Sequence, residues 1–181
     1  MRLTTPRLII RRFTPLDLDD YIAYQSHPEV TRYSGSAPMS RDEARQFLAT
    51  QEKAGDSRKD HFHTFAIEHA ADRKVIGDVG FWIGSDLKDQ ADLGFQFHPD
   101  YHGKGYAFEA ARAVMGFGFS HWNLLRITAG CSNRNEPSMR LIERLGLHRN
   151  EQIGDTKMID GELHQSAHFS ITYDQWLDER I

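Results

Sequence analysis

Phe95-Gln96-Phe97-His98-Pro99-Asp100-Tyr101-His102-Gly103-Lys104-Gly105-Tyr106-Ala107 runs from a strand, through a loop with two glycines, into the start of a helix. Leu93, Phe95 and Phe97 alternate along a strand predicted at 91–97, and Pro99 ends it. Residues 105–121 then read as a helix that is apolar nearly all round, hence largely buried. A further strand is predicted at 125–131. A strand–helix–strand step of this length implies a parallel pair with the helix as crossover. The predicted fold class is therefore α/β, a central mixed sheet flanked by helices. The two glycines let backbone N–H groups turn inward and approach a ligand closely. The helix start adds orphaned donors and partial positive charge. Such a loop suits phosphate or pyrophosphate, but it reads equally well as a tight turn with no ligand. It carries neither the dinucleotide-binding fingerprint nor a P-loop.

Further along the chain, Asn133-Arg134-Asn135-Glu136-Pro137-Ser138 leads into a helix predicted at 136–145. Asn135 is a natural N-cap, Pro137 is tolerated in a first turn, and Gly146 sits where a left-handed C-terminal cap belongs. Ser138, Leu141, Ile142 and Leu145 share one helical face, so Ser138 points into the protein. There it either fills a crowded helix start or offers its hydroxyl to a group docked against the glycine loop.

On the other side of the glycine loop, strands are predicted at 8–12, 62–68 and 75–83, with Val75, Val79, Phe81 and Ile83 on one face of the last. Helices are predicted at 15–26 and from the capping box Ser40-Arg41-Asp42-Glu43 to near Gly55, and 56–60 reads as a loop. Two closing strands, 151–159 and 162–173, flank Asp160-Gly161, a strong hairpin signal. A short helix from Asp174 ends the chain.

The chain of 181 residues suits a single domain over 1–181. A charged fraction of 27% with a net charge of −4 and no single-sign block argues against direct nucleic-acid binding. No apolar stretch approaches the ~20 residues of a membrane span. Cys131 is the only cysteine, which excludes an intramolecular disulfide and fits a reducing compartment, so the expected location is cytoplasmic.

Pro99 to Ala110, followed by Asn135-x-x-Ser138 and Glu143-x-x-Gly146, resembles the GNAT acetyltransferases. Thr5-Pro6-Arg7-Leu8-Ile9-Ile10-Arg11 and His27-Pro28-Glu29-Val30 are similar to the subgroup that acetylates ribosomal-protein N-termini, the RimJ/RimL type. The resemblance runs from Thr5 to about Tyr173. One departure is Asp100, where the family often carries Gln or Arg. Binding of phosphate then depends on backbone N–H groups and on Lys104.

The resemblance implies the acyl-CoA N-acyltransferase fold, acetyl-CoA as cosubstrate without a metal, and a primary amine as acceptor, either a protein N-terminus or a small molecule. It implies that Tyr101, His102, Gly103, Lys104, Gly105, Tyr106 and Ala107 hold the pyrophosphate. Phe95, Gln96 and Phe97 would pair with the pantetheine arm, and an N–H near Phe97 would polarise the acetyl carbonyl. Asn135 and Ser138 complete the cofactor side, with Ser138 stabilising the leaving thiolate. Asp92 and His98 are the nearest candidates for a base, although a solvated Asp and a strand-end His are the plainer reading and a water chain could do the same work. Glu29, Tyr33 and Trp82 are the candidates for the acceptor wall, where the aromatic pair also reads as core.

Ten histidines invite a metal reading, but neither His61-x-His63 nor His164-x-x-x-His168 has the companions of a zinc site. Cys131 reads as an inert thiol rather than a covalent acetyl carrier. Two alternatives to acetyl transfer are transfer of a larger acyl group and a CoA-binding regulatory module without catalysis. The expected state is a monomer or homodimer.

Overall fold

In the computed structural model, the described residues are 1–33, 37–53, 61–84, 89–150, 155–159 and 161–178. Among the described residues there are nine strands, β1 (Arg2–Thr4), β2 (Leu8–Arg11), β3 (His61–His69), β4 (Lys74–Ile83), β5 (Gln90–Phe97), β6 (Arg126–Ser132), β7 (His148–Arg149), β8 (Thr156–Ile159) and β9 (Glu162–Thr172); eight follow the order β1-β2-β3-β4-β5-β6-β9-β7, and β8 pairs with β9 off this path. All pairs are antiparallel except β5–β6. The helices are α1 (Leu18–Gln25), α2 (Pro28–Thr31), α3 (Arg41–Lys53), α4 (Tyr106–His121), α5 (Glu136–Arg144) and α6 (Tyr173–Asp178). The parallel pair is the one the crossover length demands, and α4 is its connection.

The sheet separates two apolar clusters. On one side, Ala110, Ala111, Val114, Met115 and Phe119 of α4, Ile142 of α5 and Trp176 of α6 pack with Val79, Phe81, Ile83, Leu93 and Ile127. On the other, Tyr21 and Tyr24 of α1 and Ala44 and Leu48 of α3 pack with Phe13, Ala66 and Val75. Predicted helix ends are kept by local chemistry. Ser40 and Glu43 exchange the reciprocal bonds of a capping box (Ser40 N–H to Glu43 Oε2, 2.8 Å; Glu43 N–H to Ser40 Oγ, 3.3 Å). Gly146, at φ 88°, donates to Glu143 O, and Leu147 donates to Ile142 O, which together make a Schellman end for α5. The Asp160-Gly161 turn keeps Gly161 at φ 77° with Ile159 opposite Glu162, while Asp160 itself lies outside the described residues. The loop predicted at 56–60 is likewise outside them.

One prediction fails for a physical reason. Val75 does not share a face with Val79, Phe81 and Ile83. Ile67 pairs with Gly77 but Glu68 pairs with Val75, so Ile76 is an extra residue, a β-bulge. The insertion sends Ile76 into the α4 cluster and Val75 into the α1–α3 cluster. Period-2 counting cannot see an inserted residue, because it presumes an unbroken ladder.

Asp78 of β4 is buried under α1 and accepts a hydrogen bond from Tyr24 Oη at 2.7 Å. Burial pushes its carboxyl up to about 7, against which the Tyr24 bond acts only partly. A carboxyl with a raised folded-state pKa contributes most to stability below its unfolded pKa of roughly 4, and that contribution is lost as pH rises to about 7. Asp78→Asn removes the titration. The expected result is that the Tm of the variant, relative to the parent, climbs between pH 4 and 7 and stays level above. Thermal melts across that range check it, and a difference independent of pH would contradict it.

Candidate functional site

β5 and β6 pair only over Gln90–Asp92 opposite Arg126–Thr128. Beyond that point β6 stays with β9 as far as Ser132 opposite Ser166, while β5 stays with β4 as far as Phe97 opposite Gly77. The two strands therefore part, and a gap opens between them. His98 N–H donates to Ile76 O on β4 at 2.8 Å. Because main-chain groups alternate along a strand, Gln96 and Gly94 face β4 as well, and Phe95 and Phe97, beyond the last β5–β6 pair at Asp92, turn their N–H and C=O into the gap. The Phe97 carbonyl accepts from His102 Nε2 at 2.8 Å, which leaves the Phe97 N–H as a free donor there.

The glycine loop closes one end of the gap. Gly103 and Gly105 take left-handed φ values of 71° and 81°, and Gly105 is the N-cap of α4. No side chain caps this helix, and the first intrahelical bond is from Glu109 N to Gly105 O. The N–H groups of Gly103, Lys104, Gly105, Tyr106, Ala107 and Phe108 find no acceptor among the described residues. Six consecutive unpaired donors at a helix start are an anion cradle. An ideal Cβ on Gly103 would meet nothing within 4 Å, so this bend has open space before it.

Gap and loop belong to one cavity of about 610 Å³. Its lining contains Phe95, Gln96, Phe97, Tyr101, His102, Gly103, Gly105, Tyr106, Ala107, Asn135 and Ser138 of the residues singled out in the sequence. Asn135 Oδ1 accepts from Ser138 N–H at 3.2 Å, the N-cap bond that fixes the start of α5. Ser138 is half-buried, while Ile142 and Leu145 of its face enter the core. Glu29 and Tyr33 line the same cavity from the α2 segment. The Tyr33 ring lies 6.3 Å from that of His164 on β9, so this segment reaches across to β9.

Four expected residues are not part of the cavity lining. Lys104 Nζ donates to Asp100 O at 2.8 Å and lies over the Tyr101 ring. His98 caps the short turn Pro99–Tyr101, accepting from Asp100 N–H at 3.2 Å, and its ring is 5.9 Å from that of His27. Trp82 is on the sheet face opposite the α4 cluster and 42% exposed. Asp92 occupies the point where β5 and β6 part, accepting from Thr128 Oγ1 at 2.8 Å, and burial pushes its carboxyl up. Cys131 is held protonated at neutral pH, its thiol pushed up to about 11 by burial.

Arg32, Phe108, Arg140, Leu141 and Arg144 also line the cavity and were not anticipated. The α5 members were within reach of pattern reasoning, since Leu141 shares the Ser138 face and Pro137, Arg140 and Arg144 repeat at helical spacing beside it. Among the described residues, no group of three or more His, Cys, Asp or Glu could hold a metal ion, and no helix is long and apolar enough to cross a membrane.

The acetyltransferase (GNAT) domain family matches residues 7–148. The uncharacterized N-acetyltransferase YnaD of Bacillus subtilis is 28% identical over 178 residues, 97% of this chain and 99% of its own. Spermidine N-acetyltransferase from Vibrio cholerae, solved with CoA and spermine, superposes with a TM-score of 0.82 at 20% identity, over 96% of this chain and 99% of its own. Ribosomal-protein-S5-alanine acetyltransferase from Vibrio fischeri does so with a TM-score of 0.80 at 18% identity, over 97% and 98%. At these identities, the two structures speak for the fold alone.

Proposed function

Because this chain belongs to the GNAT acetyltransferase family, and so is an N-acetyltransferase, we propose that its cavity takes acetyl-CoA at the glycine loop and a primary amine from the α2 side. The carrying observation is the row of six unpaired N–H groups from Gly103 to Phe108, continuous with the unpaired edge of β5. That donor set fits a pyrophosphate followed by an amide-bearing arm. Acetyl-CoA supplies an activated acetyl group as a thioester. The chain's own residues do the rest. The loop amides hold the pyrophosphate, and Phe95 and Phe97 offer main-chain partners to the arm. The Phe97 N–H orients and polarises an acyl oxygen. The Ser138 hydroxyl holds a proton where the sulfur departs. Asp92, its carboxyl raised by burial, or His98 accepts the amine proton through water, since neither lines the cavity.

The acceptor is a protein N-terminus or a small-molecule amine, with Glu29 meeting its positive charge and Tyr33 its carbon skeleton. The single cysteine keeps the cytoplasm as the proposed location. The test is thiol release from acetyl-CoA across a panel of polyamines and of peptides with free N-termini. Turnover with one class supports the reading. CoA binding without turnover on any amine would favour the regulatory module instead, and faster turnover with a longer acyl-CoA would favour the larger acyl group. On an active amine, Glu29→Gln and Tyr33→Ala are expected to raise the amine KM by about 3- to 10-fold, leaving the cofactor Kd unchanged. Wild-type KM in both variants would put the acceptor wall elsewhere.

A further inference from the structure

Behind the glycine loop, away from the cavity, the N-terminal Thr5-Pro6-Arg7 segment grips the base of α4. Glu109, in the first turn of α4, receives three hydrogen bonds and an ion-pair contact from this segment. Its Oε1 accepts from Thr5 Oγ1 (2.6 Å) and Arg7 N–H (3.0 Å), its Oε2 accepts from Arg7 Nε (2.7 Å), and Arg7 Nη2 lies 2.7 Å from the same oxygen as an ion pair. The remaining arm of the guanidinium, Nη1, donates to the Lys104 carbonyl at 2.9 Å. The guanidinium carbon lies 4.3 Å from the centre of the Tyr106 ring. One side chain thus touches the loop, the first helical residue and the first-turn carboxylate.

We propose that Arg7 is a positioning residue for cofactor binding, setting the direction of the loop amides from outside the cavity. The reading rests on the proposed acetyl-CoA site. In a trans peptide, C=O and N–H point to opposite sides. Holding the Lys104 carbonyl outward therefore aims the Gly105 N–H inward, the peptide unit that precedes the left-handed Gly105. A second effect adds to the first. A carboxylate in the first turn of α4 would repel an anion bound at that helix start, and the paired Arg7 cancels its charge. A planar fork can bridge carboxylate and carbonyl together, whereas an ammonium reaches one of them at a time.

The experiment uses the full chain with Arg7→Ala and Arg7→Lys. It measures calorimetric Kd for acetyl-CoA and for CoA, steady-state kcat and KM on an active amine, and the far-UV spectrum with Tm. Expected for Arg7→Ala is a cofactor Kd raised about 10-fold or more, with kcat at saturation within twofold of the parent and the amine KM unchanged. Arg7→Lys should fall between parent and alanine variant, and it serves alone if Arg7→Ala does not fold. A folded variant with parental Kd overturns the proposal. So does a parallel fall of kcat and active fraction at unchanged Kd, which marks a purely structural contact. Parent protein that binds neither CoA nor acetyl-CoA would instead sink the cofactor site itself, a different outcome from either.

Discussion

Gly105→Val is expected to weaken acetyl-CoA binding by at least ~100-fold, about 2.7 kcal/mol, and Gly103→Val by a comparable factor, while Lys104→Ala changes it by less than ~3-fold. Both glycines occupy φ values that a β-branched residue reaches only under strain. Relief of that strain re-aims the amides on either side. At Gly105 a Cβ would also come within 3.4 Å of Arg7 Nη2, so the substitution disturbs the grip described above. At Gly103 nothing of the protein stands in the way, and a valine there obstructs the open space itself. Lys104, by contrast, has its ammonium on the Asp100 carbonyl and not in the cavity lining. Calorimetric titration of the folded variants separates the cases. Unchanged affinity in both valine variants would show that the cofactor binds elsewhere, and a large loss in Lys104→Ala would show that side-chain charge, rather than backbone geometry, does the binding.

Ser138→Ala is expected to lower kcat by about 10- to 1,000-fold with the cofactor Kd within about twofold. This range corresponds to loss of one donor that acts as charge develops in the transition state. Ser138 lines the cavity at the first turn of α5 and its hydroxyl has no hydrogen-bond partner among the described residues, while its backbone N–H is engaged by Asn135. Its proton is thus free for a departing sulfur. An interaction made only in the transition state lowers kcat and leaves ground-state binding alone. Full activity at saturating amine and acetyl-CoA would show that Ser138 merely fills space.

The legible parts of this chain are those whose chemistry is local. The strand–loop–helix at 95–107, the Asn135 cap, the Ser40–Glu43 box and the Gly146 end each lie within a few residues, and each takes its predicted local conformation. The parallel pair followed from a connection length. What escaped was relational. The bulge at Ile76 depends on how β4 meets β3, and an alternating pattern reads straight through it. Arg7 and Glu109 are 102 positions apart, and nothing in either neighbourhood announces the other. Lys104 and His98 stand in the right stretch of sequence, yet their side chains are taken by neighbouring backbone groups, a competition that spacing does not reveal. Trp82 and Asp92 face each other across β4 and β5. Alternation assigns their face of the sheet, but not whether that face opens on the cavity.

The parting of β5 from β6 also bears on the cohesion of the whole molecule. Among the described residues, three paired positions of β5 and β6, with the Leu125 and Arg126 N–H bonds to Asp89 O beside them, rivet the first five strands of the sheet to the last four. Covalent continuity through α4 and the apolar packing beneath it supply the remaining adhesion. This seam is the natural fault line of the protein, and its missing rungs are the ones a ligand in the gap would provide. A molecule bridging the Phe95–Phe97 edge and the Ser138 side acts as a splice between two half-sheets. Occupancy and cohesion then become a single equilibrium: whatever fills the gap tightens the joint, by an amount set by its concentration relative to its Kd. Amide protons on the flanking strands would exchange more slowly in the filled state than in the empty one.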